Sequence, residues 1–155
     1  GLDLHLERFS NHTLVSVVVL AVPIILPLLA QGANILISKL NRRYTPRKFI
    51  ELAYGYLPLV LAGNLAHYLR LGLSEGGKIL PVTMATFGLN GASLPVLVAH
   101  PAVIAFLQGS CLIVGVLLAI LLTQKIARQQ FKYLIPQHLA SAFLAVGMWQ
   151  VIVGF

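Results

Sequence analysis

Three histidines lie within or beside long apolar stretches of the chain, where a neutral imidazole could bind a haem iron. A b-type haem needs two axial ligands at similar depth on facing helices. We predict that His67 and His100 lie at one depth, in the outer leaflet, and that His138 lies near the opposite surface. His67 and His100 are therefore the candidate metal ligands.

The residues around His67 form one polar face of a predicted membrane span. At about 100° per residue, Tyr56, Gly63, Asn64, His67 and Arg70 fall within about a third of the helix circumference. Gly63, one turn before His67, would leave room for a flat macrocycle, and Arg70 could bind a propionate. The pattern predicts a cofactor site on this face.

The same face suits more than one ligand. It could hold haem b, or it could border a quinone headgroup, with Asn64 or Tyr68 as a further polar contact. The simplest alternative is that the histidines only hydrogen-bond to backbone or lipid headgroups. Glu51, at the other end of the same span, could move protons, but an ion pair with Arg47 or Lys48 is the simpler interpretation.

The composition limits the chemistry of the chain. Hydrophobic residues make up 58% of the 155 residues and charged residues 10%, and the mean hydropathy is +0.88, which indicates a chain embedded in a bilayer. No nucleophile triad, phosphate-binding glycine loop or pair of catalytic carboxylates is evident, so we do not expect an enzyme. Cys111 is the single cysteine, which excludes an iron-sulfur cluster within this chain, and we interpret it as a buried, inert thiol.

The positive charges of the chain are concentrated in two short segments. Of the 11 Lys and Arg residues, eight fall in 39–48 and 125–132, between apolar stretches. Basic loops beside apolar spans indicate topology rather than nucleic-acid binding, because such loops stay in the cytoplasm. We therefore place the loops 39–48 and 124–132 in the cytoplasm and both chain termini outside.

The apolar stretches predict an all-α polytopic membrane protein with a single transmembrane domain over residues 1–155. Four spans are expected, because each is long enough, at about 1.5 Å per residue, to cross a hydrocarbon core of roughly 30 Å: 13–38, 49–72, 101–123 and 133–155. Prolines predict bends in the first two, at Pro23, Pro27 and Pro58. Residues 79–100 should form a broken interfacial or re-entrant segment, since a further crossing would move the second basic loop outside.

Small and polar side chains within the spans predict helix packing. Cys111, Gly115 and Ala119 recur at a spacing of four residues, which lets another helix approach closely. In the first span, Gln31 and Asn34 begin a polar stripe that Ser38 continues. We expect this stripe to face other helices, because lipid offers no hydrogen-bond partner.

The segment from Phe49 to Gly76 carries a likeness to a known family. It contains LAYGYLPLVLAGNLAHYL, followed by a short turn with EG, and this pattern resembles the C-terminal membrane part of ferredoxin-type (polyferredoxin) membrane proteins. Those are polytopic electron-transfer proteins of respiratory nitrate and nitrous-oxide systems and related quinol-linked complexes. The likeness covers about a fifth of the chain, and it implies a redox-chain membrane subunit.

The chain also departs from that family. The family binds iron-sulfur clusters through cysteine-rich motifs, whereas this chain contains Cys111 alone. Only His67 matches the family's histidine pattern, and Asn64 stands where a second histidine would be expected. Either a cluster-binding part precedes Gly1, or the chain is a membrane-only relative that anchors another subunit.

Three functions follow from these patterns as expectations. The first is an integral membrane subunit of an electron-transfer complex, in a bacterial inner membrane, that anchors other subunits and holds or borders a haem or quinone. The second is a cofactor-free structural or assembly subunit. The third is a small transporter or channel, suggested by the prolines of the first span and the broken segment, because interrupted helices often line substrate sites.

Overall fold

Every element that the structure describes is a helix. The computed structural model describes residues 2–41, 45–88, 90, 96 and 98–154, with the side chains of all of these except 2–12 and 19. The all-α prediction is confirmed for these residues. The α-helices are α1 (Leu2–Leu40), α2 (Phe49–Ala53), α3 (Leu57–Glu75), α4 (Ile79–Thr86), α5 (Pro101–Ala127) and α6 (Ile135–Ile152).

Three of the described helical segments are long and apolar enough to cross a membrane: Thr13–Leu40, Phe49–Thr86 and Pro101–Ala127. Each contains one of the first three predicted spans, but the second continues past the predicted end at residue 72 to Thr86 and so includes the start of the segment predicted to be broken. Helix α6 has 18 residues, about 27 Å of helix against a hydrocarbon core of roughly 30 Å. The fourth span therefore stays a prediction.

The second membrane-length segment is interrupted near its start. Helix α2 ends at Ala53, a 3₁₀ turn covers Tyr54–Tyr56, and α3 begins at Leu57. Pro58 is the second residue of α3, where a missing backbone N–H leaves no intrahelical hydrogen bond unmade. The interruption thus lies where the bend at Pro58 was predicted, whereas α1 continues through Pro23 and Pro27 to Leu40.

The segment after α3 begins as the sequence predicts. A 3₁₀ turn at Gly76–Lys78 leads into the short helix α4, and Gly88 then adopts a left-handed conformation with φ of 76°, which glycine accepts without steric cost. Residues 89, 91–95 and 97, within the segment 79–100 that is predicted to be broken, lie outside the described residues. Pro101 begins α5, the helix start that the sequence predicts.

The helices form two compact units. Unit 1 comprises Gly1–Tyr56 and Ile120–Leu144. It contains two apolar layers: the first consists of Ala30, Tyr56 and Ala140, with Leu26 and Leu144 packed against them, and the second consists of Leu52, Ala127 and Leu134.

Unit 2 comprises Leu57–Ala119 and Ala145–Phe155. Small residues let its helices approach closely, as the sequence predicts. A β-carbon on Gly115 would lie 2.5 Å from the β-carbon of Ala62 in α3, and one on Gly109 would lie 2.5 Å from the ring of Trp149 in α6. Gln108 of α5 adds a hydrogen bond of 2.9 Å from its Nε2 to the backbone oxygen of Ala66.

Candidate functional site

The predicted cofactor residues of α3 divide between two sides of the helix. Asn64, His67 and Arg70 are exposed, whereas Gly63 is buried. The buried side of α3 consists of Leu59, Gly63 and Ala66 and packs within unit 2. The exposed residues therefore form a polar face, which we call the α3 polar face, directed away from the interior of that unit.

The side chains of the α3 polar face have few partners of their own. Asn64 donates from Nδ2 to the backbone oxygen of Val60, one turn earlier, at 3.2 Å. The His67 ring meets the Tyr68 ring edge to face, with centroids 5.3 Å apart. Both contacts lie within α3, so the α3 polar face keeps hydrogen-bonding capacity for a group from outside the unit.

His67 and His100 do not lie at one level. Along α5, the Gln108 bond to Ala66 places His67 beside Gln108, and the backbone bond from Ala99 to Leu73, 3.2 Å long, places His100 beside the end of α3. Six residues separate His67 from Leu73, about 9 Å along the helix axis. The two histidines thus lie at different levels along the helix pair, because α5 runs antiparallel to α3 from a start level with the end of α3, and their depth in a membrane stays a prediction.

The structure also bears on the interpretations of His100 as a ligand and of Gly63 as a space for a macrocycle. The Nδ1 atom of His100 accepts a hydrogen bond of 3.2 Å from the backbone N–H of Ala102, so this histidine caps the start of α5. The space beside Gly63 is taken by Met148, whose Cε atom lies 2.5 Å from where a β-carbon would be. The expected room for a macrocycle at Gly63 is therefore occupied by a flexible side chain.

The structure also shows the surroundings of Glu51 and Cys111. Oε2 of Glu51 lies 3.9 Å from Nη1 of Arg47, one turn earlier, and both side chains are partly exposed, so the ion-pair interpretation is confirmed. Such an exposed pair contributes little to stability. Cys111 is a free thiol of intermediate exposure, and it is therefore less buried than the sequence predicts.

Unit 1 contains a second group of polar residues, which we call the polar layer: Gln31, Asn34, Tyr56, Thr123, Gln137 and His138. All except Gln31 are more than nine-tenths buried, and Gln31 is partly buried. They come from α1, the 3₁₀ turn before α3, α5 and α6. The polar layer is thus built from four separate helical segments of unit 1.

Contacts between α1 and α6 show which residues of the two helices lie side by side in the polar layer. The two helices run antiparallel, because Ala30 packs beside Ala140 and Nδ2 of Asn41 donates to the hydroxyl of Tyr133, at 2.8 Å, further along. Residues 30–41, at the end of α1, therefore face residues 133–140, at the start of α6.

Asn34 and Gln137 both lie within these facing ranges, 30–41 and 133–140. Asn34 follows Ala30 by one turn, and Gln137 precedes Ala140 by nearly one turn. Their carboxamides consequently lie at similar levels. The hydroxyl of Tyr56 donates a hydrogen bond to Oε1 of Gln137, which ties the 3₁₀ turn to α6 at this level.

Close helix contact and ring packing complete the polar layer. Gly55 has no room for a β-carbon because the side chain of Thr123 fills the space beside it. His138 packs against Phe131 with ring centroids 4.6 Å apart and planes inclined by 30°. Next to the basic segment, Nε2 of Gln31 donates to the backbone oxygen of Arg47 at 2.9 Å.

Several buried atoms of the polar layer have no hydrogen-bond partner. They are Oε1 of Gln31, both carboxamide atoms of Asn34, Nε2 of Gln137 and both ring nitrogens of His138. More than about nine-tenths of buried polar groups in proteins are paired, and an unpaired one costs on the order of 1–3 kcal/mol. Six such atoms lie on two residues of α1 and two residues of α6, so the polar layer is where the unpaired buried atoms of the described side chains are concentrated.

Sequence reasoning found only part of the polar layer. The stripe of Gln31 and Asn34 predicts burial against other helices, and Asn34, at 0% exposure, confirms it. Ser38 is only partly buried and donates to the backbone oxygen of Ile35 in its own helix. The signal that was missed is Gln137 beside His138, two adjacent polar residues one turn into an apolar helix.

No protein-family model matches the chain, and neither a curated protein nor a solved structure matches it. Among the side chains that the structure describes, no three His, Cys, Asp or Glu residues form a metal-binding group. A haem needs only two axial ligands, so haem ligation by His67 and His100 stays a prediction. The α3 polar face and the polar layer are the two places where function can be argued from geometry.

Proposed function

We propose that the chain is an integral membrane subunit of an electron-transfer complex and that it anchors other subunits through the α3 polar face. Its three membrane-length helical segments support a place in the bilayer, and the likeness of residues 49–76 to ferredoxin-type membrane proteins supports the redox role. The single observation that carries the proposal is the exposure of Asn64 and His67 on α3.

Asn64 and His67 are exposed at positions of the span that would lie within the hydrocarbon core. Twenty-one residues separate Phe49 from Arg70, about 32 Å of helix, which matches the hydrocarbon thickness. With Arg70 at the outer boundary, His67 lies about 5 Å and Asn64 about 9 Å inside it. Lipid tails offer neither group a hydrogen bond, so polar residues at such depths usually face protein.

The partner that fits the α3 polar face is a transmembrane helix of another subunit with hydrogen-bonding side chains. The Asn64 carboxamide both donates and accepts, and a neutral His67 does the same through its two ring nitrogens. Apolar side chains of α3 that surround these groups are also exposed, and they would pack against the same helix: Leu57, Val60, Leu61, Leu65 and Leu71.

The cofactor proposal follows from the same arrangement. Because His67 and His100 lie at different levels, a haem b in the outer leaflet would take His67 as one axial ligand and the second from the partner subunit. Arg70 then supplies a positive charge for a propionate. A quinone bordered by His67 and Asn64 is the alternative occupant.

The experiment compares the native complexes of variant and control proteins. Tagged wild-type chain is extracted from its own membranes in mild detergent, and the assembly size and the dithionite-minus-oxidised absorption spectrum are measured. Asn64→Leu combined with His67→Leu should reduce the recovered complex at least tenfold, because two interface hydrogen-bonding groups are lost. The control Val114→Ala, at an exposed position of α5, should leave recovery unchanged.

Two results would overturn the proposal. One is a wild-type chain that migrates alone, and the other is a double variant that assembles as well as the control. A complex without a reducible haem or other redox centre would instead support the structural-subunit function.

The interrupted second span favours one other candidate function, a small transporter. Helices broken near a buried polar group often line substrate sites in transporters, and the 3₁₀ turn at Tyr54–Tyr56 brings Tyr56 into the polar layer. This candidate requires solute flux into liposomes that contain the purified chain alone. Absence of flux together with an intact redox complex would leave the subunit proposal.

A further inference from the structure

We propose that unit 1 binds an anionic phospholipid at a surface formed by its two basic segments. The segments 39–48 and 125–132 both belong to unit 1. We call their described cationic residues the basic surface: Lys39, Arg47, Lys48, Lys125, Arg128 and Lys132. The inference does not rest on the proposed electron-transfer function, because the α3 polar face belongs to unit 2.

Three hydrogen bonds fix the arrangement of the two segments. Nε2 of Gln31 donates to the backbone oxygen of Arg47 at 2.9 Å, which holds the first segment against α1. The Arg47 side chain reaches the end of α5, where its Nε donates to the backbone oxygen of Ala127 at 3.4 Å. Nδ2 of Asn41 donates to the hydroxyl of Tyr133 at 2.8 Å. Two segments that are far apart in sequence thus form one surface.

The positive charge of the basic surface is largely uncompensated. All six of its side chains are exposed, and Glu51, 3.9 Å from Arg47, is the only acidic side chain of unit 1 that the structure describes. The acidic residues Asp3 and Glu7 belong to the start of α1. Thirty-two residues separate Glu7 from Lys39, about 48 Å of helix. The basic surface therefore attracts anions, and each cation near an anionic lipid surface strengthens binding roughly fivefold.

Arg128 has a backbone conformation that an arginine disfavours. It directly follows α5 and has a φ of 51°, the one positive φ of a non-glycine residue in the described part of the chain. Glycine is the usual residue in this conformation at a helix end, because a β-carbon strains it. The arginine instead keeps a positive charge next to Ala127, which Arg47 contacts. Backbone strain of this kind is found where a side chain has a function.

Exposed apolar side chains directly beside the cations favour a lipid over an acidic protein segment. Leu40 follows Lys39 and is 88% exposed, and Phe131, which precedes Lys132, is 55% exposed. A phospholipid carries both a phosphate and acyl chains, so it can contact a cation and an adjacent apolar side chain together. An acidic segment of a soluble protein would leave these apolar side chains in water, which is unfavourable.

The test measures binding of phosphatidylglycerol to the purified full chain in nonionic detergent by native mass spectrometry. Phosphatidylcholine with the same acyl chains is the control lipid without net charge. Wild-type protein should bind phosphatidylglycerol roughly tenfold more tightly or better, and added salt should reduce the difference, because ions screen exposed charges. Protein in detergent has no membrane orientation, so the result is independent of the topology that the same charges set.

Charge variants identify the residues that bind the lipid. Lys48→Gln combined with Arg128→Gln should weaken phosphatidylglycerol binding roughly tenfold or more, because two cations are lost. The matched control is Lys78→Gln in unit 2, where Lys78 pairs with Glu75 at 3.0 Å. This control should bind the lipid as the wild type does, and Arg128→Lys, which keeps the charge, should also retain binding.

Arg128→Gly separates lipid binding from folding. The variant loses a cation, so it should bind phosphatidylglycerol roughly fivefold more weakly. It also loses the strain of the left-handed conformation, so without lipid it should melt at a higher temperature than the wild type. A lower melting temperature would overturn the role of Arg128 in the inference, because the arginine would then support the fold.

Three results would overturn the inference as a whole. One is equal binding of phosphatidylglycerol and phosphatidylcholine by the wild type. Another is a Lys48 and Arg128 double variant that binds phosphatidylglycerol as tightly as Lys78→Gln does. The third is tighter binding of an oligoglutamate peptide than of phosphatidylglycerol, which would assign the basic surface to an acidic protein partner.

Discussion

At the residue scale, the hydrogen bond between Tyr56 and Gln137 shows how a helix break changes the role of a residue. The helical wheel groups Tyr56 with Asn64 and His67, but the structure buries Tyr56 in unit 1 and leaves the other two exposed. Tyr56 ends the 3₁₀ turn at Tyr54–Tyr56, where its hydroxyl reaches Gln137 of α6. A helical wheel does not contain the position of that neighbouring helix, so it cannot tell which residues of the polar face become buried.

We expect Tyr56→Phe to destabilise the protein by about 1–3 kcal/mol, because Oε1 of Gln137 loses its donor while it stays buried. The matched control is Tyr68→Phe, whose ring is 62% exposed and whose change should be within about 0.5 kcal/mol. Unfolding midpoints in mixed detergent micelles measure both. A Tyr56→Phe variant as stable as the control would show that the buried hydrogen bond contributes nothing.

The pair can be tested further with a double variant. In Tyr56→Phe combined with Gln137→Leu, both partners and the unpaired Nε2 atom are removed, so its destabilisation should be smaller than the sum of the two single changes. Additive effects in the same unfolding assay would contradict an interaction between the two side chains.

At the element scale, the contact of α3 with α5 depends on a glycine. A β-carbon on Gly115 would meet Ala62 and would also lie 3.3 Å from the Cα atom of Leu59 and 3.4 Å from the backbone oxygen of Pro58. Backbone atoms cannot move aside as a flexible side chain can. The two helices consequently hold their separation only if position 115 stays without a side chain.

Gly115→Ala should therefore destabilise unit 2 by about 1–3 kcal/mol, the usual cost of an overpacked contact. The control is Gly147→Ala in α6, where a β-carbon would meet nothing within 4 Å and where the higher helix propensity of alanine should add up to about 1 kcal/mol. Melting temperatures of the two variants should shift in opposite directions. A downward shift of equal size in both would contradict the close contact of α3 with α5.

At the scale of the whole molecule, the predicted topology depends on whether α6 crosses the membrane. The basic segments 39–48 and 125–132 should lie in the cytoplasm, so a crossing by α6 would bring its end outside. Its length of about 27 Å is a few ångströms less than the hydrocarbon core, a difference that local bilayer thinning can absorb.

Single cysteines introduced into a Cys111→Ser background test this topology. A membrane-impermeant maleimide added outside should label Phe87→Cys and Gln150→Cys, while Gln130→Cys, in the second basic loop, should react only after the membrane is opened. All three positions are exposed in the structure. Labelling of Gln150→Cys only from the cytoplasm would mean that α6 does not cross and that the chain has three spans.

The sequence by itself determined the features that depend only on the composition of each segment, such as its apolar length and its charge. Apolar length predicted the helices α1, α3 and α5, charge indicated which loops are basic, and the small residues around Gly115 predicted close packing. The proline at position 58 also placed the break near the start of the second span.

Only the tertiary structure decided which side chains of different helices lie side by side along the helix axes. His67 and His100 have similar positions relative to their own apolar stretches, yet the register of α5 against α3 separates them along the helices. Asn34 and Gln137 are 103 residues apart in sequence, yet the antiparallel contact of α1 with α6 places them together. Helix register depends on how the side-chain surfaces of two helices fit, and no property of either helix alone contains that information.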